Sequence, residues 1–233
     1  MSPGANSKNR RYVAVAVIVV LLGVVGLTAC SGDTRTENPA AVQVDDDGFN
    51  GTLVDPPLRP ANVMLTDTSG ARFDLARPAS DKVTALFFGF TNCADVCPTT
   101  MADLAVARQA LSPELAEKVT VVFVTVDPKR DTPAVLEEWL GRFDPDFIGL
   151  IGPTERVNQL ERSLYLPESG EEQPAAEHEH TSDHHDSSKD GDDYEVDHSG
   201  SVYLFGPGDK LVLHSGGTSP QQYAEDFARL LKT

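Results

Sequence analysis

The sequence predicts an α/β protein with one central sheet and helices on both of its faces. Three observations lead to this prediction: short apolar runs, helically spaced apolar residues between them, and turn signals that bound both. The apolar runs are typical of buried strands and cover residues 83–88, 121–126 and 147–151. Because these strand and helix patterns alternate along the chain, we expect helices to cover both faces of the sheet.

The globular pattern begins with a predicted β-hairpin, in which residues 63–66 and 73–75 flank Ser69-Gly70. A helix is then expected after each of the three apolar strands. The helix-start signals are a first-turn proline or a capping threonine, and they are Pro98, Thr132-Pro133 and Thr154.

The pattern of a second hairpin and a last helix closes the chain. Residues 201–205 and 210–213 flank a Pro-Gly-Asp turn, and Ser219-Pro220 can begin the last helix. His214 follows directly after the second of these strands. We predict a structural role for this histidine.

The first 29 residues have the pattern of a secretory signal, with basic residues before an apolar run from Tyr12 to Leu27. The residues that end this stretch lead directly to Cys30 and resemble a bacterial lipobox. This resemblance implies that Cys30 carries lipid and anchors the protein to the cell membrane on its extracytoplasmic face. The alternative is an uncleaved anchor, since the run approaches the roughly 20 apolar residues of a spanning helix.

The charge of the chain excludes one class of partner. The sequence has 19 basic and 36 acidic residues, a net charge of −17. Without residues 1–29, which hold three basic and no acidic residues, 16 basic residues remain against 36 acidic ones, a net charge of −20. Such an acidic protein is not expected to bind nucleic acid. Attachment to the membrane would depend on the N-terminal lipid rather than on charge.

Two segments are too polar to bury a core. Residues 30–53 are predicted to be a flexible acidic tether, and residues 54–233 the globular domain. Within that domain, residues 168–195 hold 11 acidic residues and a single lysine, so we expect a disordered acidic, His-rich insertion. Its histidines are candidate weak auxiliary metal ligands, and they are His178, His180, His184 and His185. The alternative is a solvated linker.

Cys93 and Cys97 lie between an apolar strand and a predicted helix start, and they are the thiols that remain once Cys30 is lipidated. Cys97 directly precedes Pro98, where the helix dipole would favour the thiolate. Where the backbone is helical, a spacing of four brings two side chains close enough to share one metal ion. A structural disulfide is the alternative, because an extracytoplasmic compartment permits disulfides.

The cysteine-bearing helix start and the closing β-β-α pattern resemble the thioredoxin fold. Three separated motifs also resemble those of the Sco/SenC family of extracytoplasmic copper proteins, in the same order. They are Thr91-Asn92-Cys93-Ala94-Asp95-Val96-Cys97-Pro98, the Val-Thr-Val-Asp-Pro-Lys-Arg-Asp-Thr stretch at 124–132, and Tyr194-Glu195-Val196-Asp197-His198-Ser199. The resemblance covers roughly residues 56–231 with the insertion set aside.

This resemblance implies that Cys93, Cys97 and His198 bind copper. It also implies that Asp127 and Asp131 support those ligands without binding the metal, or face a partner protein. Two thiolates and an imidazole suit Cu(I), and similar ligand sets occur around Cu(II). The chain departs from many members at position 94, where alanine replaces proline, but every ligand type is present.

The function implied by the resemblance is that of a copper metallochaperone. Such a protein assembles the binuclear copper centre of cytochrome c oxidase, and its partner is the oxidase subunit that holds this centre. Two alternatives use the same cysteines: a thiol-disulfide oxidoreductase that reduces the cysteines of that centre, and a redox or copper-stress protein. The role of His198 separates them, because attack on a disulfide does not require a histidine.

Overall fold

The computed structural model describes residues 47–76, 80–169 and 199–232. The strands are β1 (Thr52–Leu53), β2 (Met64–Asp67), β3 (Arg72–Asp74), β4 (Val83–Gly89), β5 (Val119–Thr125), β6 (Ile148–Ile151), β7 (Val202–Gly206) and β8 (Lys210–His214). The α-helices are α1 (Val96–Gln109), α2 (Pro113–Ala116), α3 (Pro133–Gly141), α4 (Thr154–Ser163) and α5 (Pro220–Leu230). A short 3₁₀ turn (Pro207–Asp209) joins β7 to β8.

All the described strands form one mixed sheet in the order β1-β8-β7-β4-β5-β6-β2-β3. At its centre β4 and β5 are parallel, so that Gly89 pairs with Thr125 where both strands end. The strand β7 is antiparallel to β4, with Val202 opposite Phe87. The carboxyl ends of β4 and β5 and the start of β7 therefore lie side by side at the same end of the central strands. We call this end of the sheet the site edge.

The central strands are apolar at almost every position because both of their faces are buried. On one face, Phe87 and Phe123 pack with side chains of α1, α3 and α5. On the other face, Phe88 and Val124 pack with α4 and with the β2–β3 hairpin. The predicted α/β sheet with helices on both faces is confirmed.

The predicted helix starts are mostly observed. The Thr132 side chain accepts a hydrogen bond from the backbone N–H of Val135 and caps α3. Ser219 and Gln222 form a capping box at the start of α5. At α4 the prediction is wrong by one position, because Pro153 precedes the helix and Thr154 is its first residue, with no side-chain cap.

Two predicted boundaries need correction. Residues 47–53, which we expected to belong to the flexible tether, are part of the fold: β1 pairs with β8, and the backbone N–H groups of Asn50 and Gly51 donate to the buried Asp226 carboxylate. At the start of the insertion, the backbone N–H of buried Ser169 donates to Glu161. Both segments satisfy their backbone polar groups against the domain rather than in water.

None of the helices in the described ranges is long and apolar enough to cross a membrane. The apolar run at 12–27, the predicted lipidation site Cys30 and residues 31–46 lie outside the described residues. The same is true of residues 170–198, which hold nearly all of the predicted insertion and the ligand candidate His198.

Candidate metal centre

The two cysteines lie at the site edge, on the connection between β4 and α1. The helix begins at Val96, two residues before the predicted start at Pro98, so Cys97 lies in its first turn. The backbone N–H of Cys97 donates to the Sγ of Cys93 at 3.4 Å. The N–H of Cys93 in turn donates to the carbonyl of Phe90 at 3.2 Å. Both sulfurs are therefore held at the start of one helix.

The two cysteines differ in exposure. The Cys97 side chain is 0 % exposed and belongs to the core under the sheet. Cys93 is half-buried and touches the apolar clusters on both faces of the sheet. A reagent, a partner or a metal ion that approaches from solvent would therefore reach Cys93 first.

Burial raises the pKa of the Cys97 thiol, and the neighbouring Cys93 and the charge of Asp131 act in the same direction. A hydrogen bond with the Phe90 backbone opposes this rise. The expectation that the helix start favours a Cys97 thiolate is therefore wrong for the protein without metal. The N–H group of Cys97 at the helix start is directed to Cys93 instead.

Gly89 is packed directly against the buried cysteine. A Cβ atom at this position would lie 2.6 Å from the Sγ of Cys97 and 2.9 Å from the Phe87 ring. Real Cβ atoms do not approach other atoms so closely, so any side chain at residue 89 would displace the sulfur or the ring. The absence of a side chain at the end of β4 therefore creates the space that Cys97 occupies.

The two predicted aspartates follow β5 at the same edge, and both are buried. Asp131 accepts hydrogen bonds from the Thr91 backbone N–H (3.1 Å), the Thr91 hydroxyl (2.5 Å) and the Thr125 hydroxyl (2.5 Å). Asp127 accepts from the Nε of Arg130, whose guanidinium lies 5.9 Å from the centre of the Phe90 ring. Both aspartates therefore act on the segment that leads into the cysteine pair.

Burial raises the pKa of Asp131, and the nearby charge of Asp127 raises it further. Hydrogen bonds from Thr125 and Thr91 favour the carboxylate and act in the opposite direction. The net rise in pKa means that keeping Asp131 charged lowers the free energy of unfolding. Such costs concentrate at functional sites.

The residues that follow His198 return to this edge. A Cβ at Gly200 would lie 3.3 Å from the Cγ1 of Val96, the first residue of α1. Val202, two residues further on, pairs with Phe87 near the end of β4. In the described part of the chain, no cluster of three or more His, Cys, Asp or Glu side chains is arranged to hold a metal ion.

Comparison with known proteins now decides the family, because the SCO1/SenC family profile matches residues 61–232. The chain belongs to the SCO1/SenC family. Among its SCO relatives is an SCO2-like protein of Rickettsia felis, 29% identical over 203 residues that cover 86% of this chain and 87% of the relative. A 39% identical protein of Stutzerimonas stutzeri is matched over only 55% of its own length, so the chain spans about half of that relative.

Solved Sco structures share the fold. Bradyrhizobium japonicum ScoI, solved with copper bound, is 30% identical with a TM-score of 0.57, and the match covers 74% of this chain and 99% of that one. Yeast Sco1, also solved with copper bound, is 28% identical with a TM-score of 0.62, and the match covers 76% of this chain and 90% of that one. BsSco, described as a member of the Sco family of cytochrome c oxidase assembly proteins, is 19% identical with a TM-score of 0.51 over 76% of this chain and 93% of its own, and shows the fold alone. The predicted thioredoxin-like fold is confirmed.

The structure brings both predicted cysteines and both predicted aspartates to the site edge, together with three neighbours that were not predicted from the sequence. Thr91 and Thr125 donate to Asp131, and Gly89 makes room for the Cys97 sulfur. All three lie inside or next to the motifs that carried the family resemblance. The available signal was their position at the ends of two adjacent parallel strands, since such ends meet at one edge.

Proposed function

We propose that this protein is an extracytoplasmic, lipid-anchored copper metallochaperone that assembles the binuclear copper centre of cytochrome c oxidase. The prediction of copper agrees with the solved Sco proteins that contain it. The oxidase as target follows from the family resemblance and from the description of BsSco as an oxidase assembly protein. The lipid anchor rests on the signal pattern that ends at Cys30.

The observation that carries this proposal is the grouping of donors at the site edge. Cys97 lies in the first turn of α1, and Cys93 lies just before it and accepts the Cys97 N–H. The chain that follows His198 returns beside the same turn, with Gly200 next to Val96. Two sulfurs and an imidazole form a ligand set that suits Cu(I), because soft thiolates favour this ion. Copper is the cargo here, and its binding would release the thiol protons.

Two further roles complete the proposal. Asp127 and Asp131 would support the cysteine loop without binding the metal. The histidines of the insertion would collect metal weakly before it reaches the main site, and they are His178, His180, His184 and His185. Unperturbed imidazoles are mostly neutral at pH 7 and can bind Cu(II), Zn²⁺ or Ni²⁺.

The decisive test is the stoichiometry and affinity of Cu(I), measured anaerobically against a competing chelator with the reduced full chain in detergent. We expect one tight equivalent, and a loss of affinity of about tenfold or more in His198→Ala because one of three ligands is removed. His184→Ala, a histidine substitution within the insertion, is the matched control and should keep the parent affinity. Equal affinity in parent and His198→Ala would remove the histidine from the site.

The second candidate function is thiol-disulfide exchange, which the unequal exposure of the two cysteines favours. The accessible Cys93 thiolate would attack a partner disulfide, form a mixed disulfide and release one partner thiolate. Cys97 would then attack the Cys93 sulfur and release the second partner thiolate. The partner gains two electrons, and the chain is left with a Cys93–Cys97 disulfide.

Reduction of a disulfide-bonded peptide distinguishes the two functions. For a dithiol reductase we expect the rate to be unchanged in His198→Ala and lost in Cys93→Ser, because the histidine takes no part in the attack. For a metallochaperone, His198→Ala should instead fail to transfer Cu(I) to a reduced dithiol acceptor. Loss of both activities in His198→Ala would contradict this separation of roles.

A further inference from the structure

The loop after β5 contacts the segment that leads into the cysteine pair and fixes its position. We call these contacts the grip. The segment 90–92 connects the end of β4 to Cys93, and two neighbouring residues of the β5 loop hold it. Asp131 accepts from both the backbone N–H and the hydroxyl of Thr91. Arg130 covers the Phe90 ring and pairs with Asp127. Contacts to two consecutive residues restrict this segment more than one contact would.

The grip is continuous with the sheet. The backbone N–H of Asp127 donates to the Thr125 hydroxyl at 3.0 Å, and that hydroxyl donates to Asp131 at 2.5 Å. Thr125 is the last residue of β5 and pairs with Gly89 at the end of β4. The carboxylate of Asp131 is thus fixed to the central strands of the sheet. Its hydrogen bonds restrict the movement of Thr91.

The position of Thr91 determines where the cysteines lie. The Phe90 carbonyl accepts the N–H of Cys93, and the Sγ of Cys93 accepts the N–H of Cys97. A short chain of hydrogen bonds therefore runs from residues 90–91 to the Cys93 sulfur and the Cys97 backbone, and the Phe90 backbone also bonds to the Cys97 thiol. Any rotation of the segment at Thr91 would change the separation and direction of the two donors.

We propose that Asp131 and Thr91 are positioning residues of the metal site, which hold the cysteine loop in its binding geometry through the Thr91 hydroxyl. This inference rests on the proposed copper function. Neither residue contacts the metal in this role. Outer partners of metal ligands typically change metal affinity by about 10–100-fold when they are removed.

The test compares Thr91→Val, Thr91→Ser and Asp131→Asn in the full chain. Valine has the shape of threonine without its hydroxyl, so we expect Thr91→Val to lose about tenfold in Cu(I) affinity. Serine keeps the hydroxyl, so Thr91→Ser should stay within about threefold of the parent. Asp131→Asn should lose as much Cu(I) affinity as Thr91→Val, or more. Asp81→Asn is the matched control, because Asp81 is exposed and precedes the opposite end of β4.

A second readout does not depend on copper. In the reduced protein without metal, N-ethylmaleimide labelling followed by peptide mass spectrometry measures access to Cys97, which is fully buried in the parent. We expect Thr91→Val and Asp131→Asn to raise the labelling rate of Cys97 about fivefold or more through local opening, at an unchanged urea midpoint for Thr91→Val. Thr91→Ser and Asp81→Asn should label like the parent.

The two readouts separate failure of the inference from failure of the proposed function. Parent-like Cu(I) affinity and parent-like Cys97 labelling in both Thr91→Val and Asp131→Asn would overturn the positioning role. Equal losses in Thr91→Val and Thr91→Ser would also overturn it, because the hydroxyl would then not matter. If the parent binds no Cu(I) while Cys97 labelling still follows the Thr91 hydroxyl, the copper function fails and the positioning of the loop stands.

Discussion

Asp131 and Asp226 are both fully buried carboxylates that hold a segment of chain by its backbone N–H groups, yet their pKa values are shifted in opposite directions. Burial opposes ionisation of Asp226, but the His214 ring nitrogen 3.0 Å away and hydrogen bonds from Asn50 and Gly51 outweigh it and lower its pKa. For Asp131, burial and the charge of Asp127 outweigh two threonines and raise its pKa. The difference lies in the neighbours rather than in the depth of burial.

The neighbours correspond to two different roles. Asp226 lies 3.0 Å from the Nε2 of His214, the last residue of β8, and fastens residues 50–51 to α5. In the sheet order β8 is two strands from β4, the strand that leads to the cysteines. Its environment favours the charged form, so it stabilises the fold. Asp131 sits beside the cysteine loop, where its environment disfavours its charge. We infer that Asp226 serves stability, and that the cost at Asp131 is retained for the site.

The largest expected effect is on the stability side of this comparison. Asp226→Ala removes the buried carboxylate beside His214 and leaves two backbone N–H groups without their acceptor, so we expect the free energy of unfolding to fall by about 3 to 5 kcal/mol. Urea unfolding of the full chain measures it. Cu(I) affinity of the folded variant should stay within about threefold of the parent, in line with the additivity of distant sites.

The control for this experiment is Glu225→Ala, one position earlier on the same helix. Glu225 is exposed, so the variant should remain within about 0.5 kcal/mol of the parent. A tenfold loss of Cu(I) affinity in folded Asp226→Ala would break the comparison, because it would connect the stabilising carboxylate to the metal site.

The second prediction concerns the metal site and the packing around Cys97. In Gly89→Ala the added Cβ would meet the Cys97 Sγ at 2.6 Å, so we expect a loss of about 1 to 3 kcal/mol in stability from overpacking. Because the displaced atom is a proposed ligand, Cu(I) affinity should also fall about tenfold or more. Unfolding and chelator competition measure the two changes on one sample.

A glycine elsewhere provides the matched control for this substitution. Gly141, at the end of α3, has open space around the position of a Cβ. Gly141→Ala should therefore keep the parent Cu(I) affinity and gain up to about 1 kcal/mol from helix propensity. Parent-like copper binding in Gly89→Ala would contradict the tight packing inferred around Cys97.

The third prediction concerns how the stability contribution of Asp226 depends on pH. The pKa of Asp226 lies below the ordinary value of 3.8, so its stabilising contribution is complete above 3.8 and is lost as the pH falls through the lower folded-state pKa. Asp226→Asn cannot titrate. We therefore expect the stability difference between parent and Asp226→Asn to stay nearly constant down to about pH 5 and to shrink as the pH falls below 3.8 in urea unfolding. A difference that grows on acidification would reverse the sign assigned to this carboxylate.

The smallest effect has the opposite sign and concerns Glu161, which anchors Ser169 at the start of the insertion. Burial raises the pKa of Glu161 above its ordinary 4.5, so its cost to stability is absent at low pH and grows as the pH rises through the folded-state pKa. Glu161→Gln should gain relative to the parent as the pH rises from about 4 to 7, within about 1 kcal/mol overall.

Unfolding at several pH values measures this last change, with the exposed Glu137→Gln as control. The control should follow the parent across the whole range because its side chain is in water. If Glu161→Gln instead lost stability relative to the parent as the pH rises, the carboxylate would be stabilised in its charged form, as at Asp226. The contrast between buried carboxylates would then rest on Asp131 alone.

Much of the fold could be predicted because its signals are local. The central strands are apolar throughout, and proline with a capping side chain begins α3 and α5, as at Thr132 and Ser219. The structural role predicted for His214 agrees with its burial against Asp226. Residues 47–53 could not be assigned to the fold, since no apolar periodicity marks a two-residue edge strand held by polar groups.

The candidate site divides in the same way. Cys93, Cys97, Asp127 and Asp131 could be predicted from spaced motifs, because residue type and order carry the resemblance. His198 remains a prediction from its motif, since it lies outside the described residues. The burial of Cys97 and the part played by Thr91 could not be predicted. Both depend on which strand ends lie side by side.

The sequence by itself determined the fold class, the order of elements, the acidic character and the chemistry of the donors, because these follow from residue type and spacing along the chain. Only the tertiary structure decided which cysteine is accessible and which residues hold the loop. It also decided that the charged form is disfavoured at Asp131 and favoured at Asp226. Burial and electrostatic interaction are properties of neighbours in space, and those neighbours are distant in sequence.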